Sequence, residues 1–118
     1  MAEGRSPLTA GQCRSLQVLG HLFLRMGQFQ RARKLALALL ALDPDDAWAR
    51  RCLAVVWLET GDPERALEQL DRLLAGGPLP SRDAVLHLLR ARALWQAGRA
   101  GEARNALNTY LSAGGSQL

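Results

Sequence analysis

Residues 27–44 read GQFQRARKLALALLALDP, and residues 61–78 read GDPERALEQLDRLLAGGP. Three residue pairs stand 34 positions apart in these stretches: Gly27 and Gly61, Ala32 and Ala66, and Pro44 and Pro78. A third copy follows, with Gly98 and Ala103 each 37 positions after its counterpart. A repeat of this length in a Leu- and Ala-rich sequence is typical of helical hairpins that stack, because one hairpin cannot bury its apolar side alone.

Each recurring residue type has its own role in a helical hairpin. Glycine ends the first helix, because it adopts the left-handed backbone conformation that a side chain resists. Alanine lets two helices approach closely, and proline stops the second helix before the next repeat. The first helices carry small residues of their own, at Gly20, Ala54 and Ala91. The three extra residues of the third copy fall in the segment 76–80, where a loop accommodates an insertion at little cost.

The spacing of apolar and helix-breaking residues predicts six helices, over residues 10–26, 29–42, 46–60, 63–75, 81–97 and 100–113. Their side-chain caps are expected to be Thr9, Asp45, Asp62 and Ser81. The composition agrees, because Leu, Ala and Arg dominate and only two Phe and one Tyr occur. We therefore expect an all-α protein of three tandem hairpins in a short right-handed superhelical array. It should form a single domain over residues 1–118, with repeats near 13–46, 47–83 and 84–115.

The charge is divided unevenly along the chain, although the net charge is +4. Residues 1–42 carry six basic and one acidic side chain (+5), residues 43–76 four and eight (−4), and residues 77–118 five and two (+3). A nucleic-acid-binding protein typically shows one continuous basic face with aromatic stacking residues. The pattern therefore argues against nucleic-acid binding and favours charges that are solvated on the surface.

The residues that could carry chemistry are few and far apart. Cys13 and Cys52 are too few for a disulfide framework and belong to no Cys/His cluster, so we expect free thiols in a reducing cytosol. His21 and His87 lie in different repeats, with no carboxylate or cysteine at a spacing that would build a triad or a metal site. No apolar run reaches the length of about 18 residues that spans a membrane. We expect a cytoplasmic protein with no direct membrane insertion, no catalytic residues, no metal and no cofactor, and therefore not an enzyme.

Between about residues 13 and 115 the sequence resembles the tetratricopeptide repeat (TPR) consensus. The matching residues of the first repeat are Leu16, Leu19, Gly20, Phe23, Gly27, Phe29, Ala32 and Pro44. Those of the second are Leu53, Ala54, Trp57, Gly61, Ala66 and Pro78, and those of the third are Leu94, Gly98, Ala103 and Tyr110. The third repeat departs from the family at His87 and Arg90, where large apolar residues are usual.

Beyond that family, the chain resembles the small TPR chaperones of bacterial type III secretion systems, in particular the YscY type. The resemblance rests on the short length, on three repeats with little flanking sequence, and on a local pattern formed by Asp43-Pro44, residues 49–53, Gly61, residues 64–66 and Glu68. It implies a cytoplasmic, non-enzymatic chaperone that binds a small secreted protein of the YscX type and, as that complex, contacts the export gate. A generic TPR adaptor and a needle-subunit co-chaperone of the same secretion system remain alternatives.

The first helices of such an array line its concave side. Ten of their residues are predicted to contact a partner: Gln17, His21, Leu24, Trp48, Arg51, Val55, Leu58, Leu88, Arg92 and Trp95. The inward positions are largely apolar. TPR grooves that clamp a carboxylate use Lys and Asn or Arg at fixed positions, but here these positions hold Gln17, His21, Arg51 and Val55, which form no matched clamp. We therefore expect the groove to hold an amphipathic helix. Arg51 and Arg92 either pair with acidic groups of the partner or are solvated.

Three of these residues, Leu24, Leu58 and Trp95, occupy the same position in successive repeats. We expect them to form a continuous exposed stripe, which usually marks a binding surface. Trp48 and Trp95 can lie either in the core or in the groove. Trp57 is assigned to the core, because a Trp at helical spacing is more often core than interface.

Overall fold

The computed structural model describes residues 8–75 and 84–113, and within these ranges it contains six α-helices and no strand. The helices are α1 (Ala10–Arg25), α2 (Phe29–Leu42), α3 (Ala47–Glu59), α4 (Pro63–Leu74), α5 (Val85–Gln96) and α6 (Ala100–Ala113). The predicted all-α fold of three helical hairpins is confirmed. The helix start expected at residue 81, its cap Ser81 and the insertion at 76–80 lie outside the described residues.

Two of the predicted caps begin their helices as expected. The Thr9 side chain accepts a hydrogen bond from the backbone N–H of Gln12 at 3.1 Å, and the Gln12 side chain accepts from the Thr9 N–H at 2.9 Å. This reciprocal pair satisfies two amides that the first turn of α1 leaves open. The Asp62 side chain accepts from the Arg65 N–H at 3.2 Å, and Pro63 occupies the first helical position of α4.

The cap predicted at Asp45 is wrong by one residue. The side chain of Asp46, not that of Asp45, accepts from the N–H of Ala49 at 3.0 Å and begins α3. The Asp45 N–H instead donates to the Asp43 side chain at 3.0 Å. This local turn forms because an Asp side chain readily accepts a hydrogen bond from the backbone two residues on. The side chains of Asp43 and Asp46 therefore both accept backbone hydrogen bonds in this loop, whereas Asp45 contributes its N–H.

All three first helices end at a glycine with a positive φ: 73° at Gly27, 84° at Gly61 and 80° at Gly98. At the second of these ends, the Asp62 N–H donates to the Trp57 carbonyl at 2.7 Å, and the Gly61 N–H donates to the Leu58 carbonyl at 3.4 Å. The same two bonds recur at the other two ends. This pairing is the Schellman motif, which satisfies the last carbonyls of a helix and reverses the chain.

The six helices form two layers. The first helices contact each other in order, α1 with α3 and α3 with α5. Each of the first two second helices packs against its own partner and against the next first helix, so α2 touches α1 and α3, and α4 touches α3 and α5. One side of the first helices is therefore covered by second helices, and the other side forms a separate surface.

The core consists of two clusters of buried residues. The cluster between the first two hairpins contains Ala32, Ala36, Leu39, Ala49, Cys52, Leu53 and Val56. The cluster between the last two contains Ala54, Leu58, Ala66, Leu67, Leu70, Leu86, Ala91, Ala93, Leu94, Ala103 and Ala106. Trp57 packs against both clusters, which confirms its assignment to the core. The many alanines explain how the helices come close enough to bury the leucines.

Ion pairs connect the acidic second repeat to the basic third repeat. Three arginines reach across to carboxylates, with N–O distances of 2.9, 3.1 and 3.9 Å in the pairs Arg90–Asp71, Arg92–Glu59 and Arg99–Glu64. Arg90 stands where the TPR family usually has an apolar residue, and its partner on α4 explains how a polar side chain fits between the hairpins. Three arginines of the basic third repeat thus lie beside carboxylates of the acidic second repeat, in pairs that remain exposed to solvent.

Candidate functional site

Residues at equivalent repeat positions form rows across the three first helices, because these helices lie side by side. The spacings of 34 and 37 positions give three such rows: Gln17, Arg51 and Leu88; His21, Val55 and Arg92; and Leu24, Leu58 and Trp95. We call the surface that carries these rows the first-helix face. Nine of the ten predicted partner-binding residues belong to it by register, and Trp48 is the tenth.

The first two rows mix polar and apolar side chains. His21, Leu88 and Arg92 are exposed, whereas the other three residues of these rows are half-buried. The guanidinium of Arg92 donates to a Glu59 carboxylate oxygen at 3.1 Å and so joins α5 to α3. The expectation of a largely apolar face therefore needs correction, because charged and amide groups make up much of these two rows.

The third row does not form the continuous exposed stripe that was expected. Leu24 is half-buried, Leu58 is only 2% exposed, and Trp95 is 69% exposed. Leu58 is buried because α5 packs over it, and it shares a core cluster with Leu94 of that helix. No described helix covers Trp95 in the same way. In the free chain, Leu58 thus offers no surface to a partner, and Trp95 offers a large one.

Trp48 fills the space between two first helices. Its indole ring lies against Gly20 of α1, so closely that a Cβ atom at Gly20 would overlap the ring. The half-buried Trp48 also packs against the first core cluster. The sequence did not decide whether Trp48 and Trp95 lie in the core or in the groove. The structure places Trp48 mainly in the core and Trp95 on the surface.

A groove of about 610 Å³ opens between α5 and α6. Its lining is mostly apolar and consists of Leu88, Leu89, Ala91, Arg92, Trp95, Ala100, Ala103, Arg104 and Leu107. The groove brings together three of the predicted binding residues, Leu88, Arg92 and Trp95. It also includes Arg104 and Leu107 of α6, which the sequence reasoning missed because it considered only first helices. The repeat spacing could have identified these residues, because Leu107 stands 37 positions after the core residue Leu70 and therefore occupies the same repeat position.

Comparison with known proteins decides the family. The sequence model described as tetratricopeptide repeat matches residues 18–81 and 58–117. The chain is also 36% identical over 104 residues to the chaperone protein YscY of Yersinia enterocolitica and to that of Yersinia pestis, which covers 88% of this chain and 89% of each relative. This chain is a tetratricopeptide repeat protein of the YscY type.

In this YscY-type protein, the two cysteines differ in environment. Cys13 is half-buried on α1, whereas Cys52 is buried in the core and its Sγ lies 3.9 Å from the Ala32 carbonyl oxygen. Burial raises the pKa of Cys52 to about 11, because the thiolate would lose its hydration. At neutral pH the Cys52 thiol therefore stays protonated and packs as a small apolar group.

Metal sites and membrane spans each require features that the described ranges lack. Among residues 8–75 and 84–113, no three His, Cys, Asp or Glu side chains lie close enough together to hold a metal ion. None of the six helices has the length and hydropathy that crossing a bilayer requires.

Proposed function

We propose that this chain is a cytoplasmic chaperone of a bacterial type III secretion system, which binds and stabilises a small secreted partner of the YscX type. The observation that carries this proposal is the similarity to chaperone protein YscY over 88% of the chain. The predicted residues of the first-helix face that are not buried in the core would contact the partner, bound as a helix. In this proposal the chain performs no catalysis, and the complex with its partner goes on to contact the export gate.

The exposed apolar residues of the groove support binding of a helix. Leu88, Trp95 and Leu107 each remain substantially exposed in the free chain. Burying such anchors contributes roughly 1.5–3 kcal/mol each, before the cost of ordering the partner is subtracted. Three anchors are enough for a specific complex, and an empty groove of this kind predicts that the free chain is prone to associate.

Two other functions fit the same surfaces less specifically. A generic TPR adaptor would dock two folded proteins, and the free chain would then be a well-behaved monomer. A needle-subunit co-chaperone would belong to the same secretion system but recognise a different partner. The similarity to a named chaperone favours the first proposal over the adaptor, and the identity of the bound protein distinguishes it from the co-chaperone.

The proposal can be tested by co-expressing the tagged chain with the YscX-type protein of its own organism. We expect the partner to become soluble and to co-purify with the wild-type chain, and to be lost with Leu88→Asp. Leu37→Asp is a matched control, because Leu37 is exposed to a similar degree, 42% against 39%, but lies on a second helix. Leu58→Asp is unsuitable, because a carboxylate at this buried position would unfold the chain.

Failure of the partner to co-purify with the wild-type chain would contradict the proposed function. Retention of the partner by Leu88→Asp, with the variant folded by circular dichroism, would instead show that Leu88 of the first-helix face is not part of the binding site.

A further inference from the structure

The side of the third hairpin that faces away from the second hairpin is an open apolar surface. Leu107 is 40% exposed, Leu111 is 45% exposed, and Trp95 stands at the edge of the groove between α5 and α6. We call this surface, formed by Trp95, Leu107 and Leu111, the terminal face. No described helix packs against it.

The same positions in the preceding hairpin are covered by a helix. Leu70 is the counterpart of Leu107 and is 0% exposed, and Leu58 is the counterpart of Trp95. Both leucines lie in one cluster with Leu86 and Leu94 of α5, the first helix of the next hairpin. The first hairpin repeats this arrangement, because α2 packs against α3. The terminal face therefore has the residues of a surface that receives one further first helix.

The charges of the terminal groove differ from those of the covered surface. Arg104 replaces the buried Leu67 at the equivalent position, and Arg92 replaces Val55. These two arginines are the charged residues of the groove lining, which contains no acidic side chain. Arg92 forms an ion pair with Glu59, whereas Arg104 forms no ion pair with any residue of the described ranges. A helix lying here would therefore be stabilised by acidic residues beside its apolar stripe.

A second copy of this chain fits the shape of the terminal face but not its charge. Leu19 and Leu22 of α1 are exposed, and their counterparts in α3 are the buried residues that contact the preceding hairpin. However, α1 carries Arg14 and Arg25 and no acidic residue, so it would bring basic groups to a basic groove. Residues 114–118 read GGSQL, which is not the pattern of an amphipathic helix. A foreign acidic helix is thus favoured over both.

We propose that the terminal face binds an amphipathic helix of a partner polypeptide, with its apolar stripe flanked by Asp or Glu, as a fourth first helix of the array. A segment of about 12 residues, or 18 Å, would match the length of α5. This inference deepens the proposed function, on which it rests for the class of partner. It extends the contact from the first-helix face to α6 and names the charge of the bound segment.

Two synthetic helical peptides test the proposal on the full chain. Both carry the same leucine stripe, and they differ only in having Glu or Lys at the flanking positions. With fluorescein-labelled peptides at low salt, anisotropy should show about tenfold tighter binding of the Glu peptide, because each exposed ion pair contributes a fraction of a kcal/mol and Lys is repelled. The difference should shrink at high salt.

Variants of α6 locate the peptide. Arg104→Glu should abolish or reverse the preference for the Glu peptide, whereas Arg31→Glu, the same charge change at an exposed position of α2, should leave it intact. Leu107→Asp should abolish binding of both peptides, and Leu37→Asp should not. Equal affinity for the two peptides, or binding that survives Leu107→Asp, would overturn the proposal.

Two further outcomes separate this inference from its alternatives. Discrete dimers in analytical ultracentrifugation that disappear with Leu107→Asp and are not dissociated by the Glu peptide would mean that a second copy occupies the terminal face, and would overturn the proposal. If the YscX-type partner co-purifies with the wild-type chain and with Leu107→Asp alike, the proposed function stands and the terminal site fails. Absence of that partner with wild type, together with the expected peptide preference, would reject the proposed function alone.

Discussion

Gly20 lies where helices of two different hairpins make a close contact. A methyl group there would overlap the Trp48 ring and would lie 3.2 Å from a methyl carbon of Leu35. Gly20→Ala should therefore destabilise the chain by about 1–3 kcal/mol, because a rigid indole cannot move aside cheaply. Urea unfolding followed by circular dichroism measures this free energy.

A matched control lies on the same helix. A Cβ atom at Gly11 would meet nothing closer than the Thr9 hydroxyl at 4.0 Å, so Gly11→Ala should stabilise the chain by up to about 1 kcal/mol through the higher helix propensity of alanine. Trp48→Phe combined with Gly20→Ala should recover part of the loss. Equal effects of the two glycine substitutions would contradict the close contact between Gly20 and Trp48.

Cys52 gives the stability a specific dependence on pH. Its thiol ionises near pH 9.0 when unfolded but has a pKa of about 11 in the fold. Between these values the folded state retains a proton that the unfolded state has lost, so the free energy of unfolding falls as pH rises; below pH 9 the full stability is present. By pH 10.5 the loss due to Cys52 should reach about 2 kcal/mol.

Comparison of the wild type with Cys52→Ala isolates this effect. Urea unfolding at pH 7.5 and 10.5 should show a smaller decrease for the variant, which has no thiol to ionise. A decrease of the same size in both proteins would show that the Cys52 thiol is not held protonated by burial.

At the scale of single residues, the sequence predicted which positions are small but not what fills the space beside them. The repeat spacing identified Gly20 and assigned Trp57 to the core. It could not place Trp48, because helical register brings a residue near a neighbouring helix without showing whether its ring points between the helices or outward. That depends on the distance between α1 and α3, which only the packed structure supplies.

Helix ends offer a test of the hairpin design. Gly61 has a φ of 84°, which an L side chain adopts only at a cost of about 1–2 kcal/mol, so Gly61→Ala should destabilise the chain by that amount. Gly101→Ala is the control, since Gly101 lies within α6 with open space around it and should gain stability from alanine. Thermal unfolding of both variants decides the matter, and a stabilising Gly61→Ala would contradict the left-handed helix end.

The ion pairs between the second and third hairpins can be measured by a double-mutant cycle. Arg90 and Asp71 are partly exposed, so their coupling should be modest, about 0.2–1 kcal/mol, and weaker in high salt. The cycle uses Arg90→Ala, Asp71→Ala and the double variant, with urea unfolding at low and high salt. A coupling of zero at low salt would mean that the Arg90–Asp71 pair does not help to join these hairpins.

The elements were the most predictable level of the structure. Glycine and proline mark the ends of helices, and the spacing of apolar residues marks their length. These signals are local in the sequence, so reading them requires no knowledge of distant contacts. The misplaced cap at Asp45 shows the limit, because neighbouring aspartates can each cap a helix and the choice depends on the geometry of the loop. The ion pair between Arg90 and Asp71 could not be predicted from the sequence either, because it joins helices from two different hairpins.

At the scale of the whole molecule, the binding surface was only partly predictable. The repeat spacing correctly predicted which residues of the first helices form rows. However, it treated the residues of one row as equally exposed. Leu58 and Trp95 show why this fails: one is covered by the next hairpin and the other is not. The apolar groove therefore lies at the third hairpin, where it includes α6 residues such as Leu107. Whether these residues bind the partner is the prediction that matters most for function.

The most direct test of the chaperone proposal is a pull-down of the tagged chain from lysate of its own organism, analysed by mass spectrometry. We predict that a small type III secretion protein of the YscX type is recovered with the wild type and with Leu37→Asp, and is lost with Trp95→Ala, because Trp95 is the largest exposed apolar anchor. Absence of any secretion component from the wild-type sample would contradict the proposed function. Full recovery with Trp95→Ala would contradict the role of Trp95 in binding.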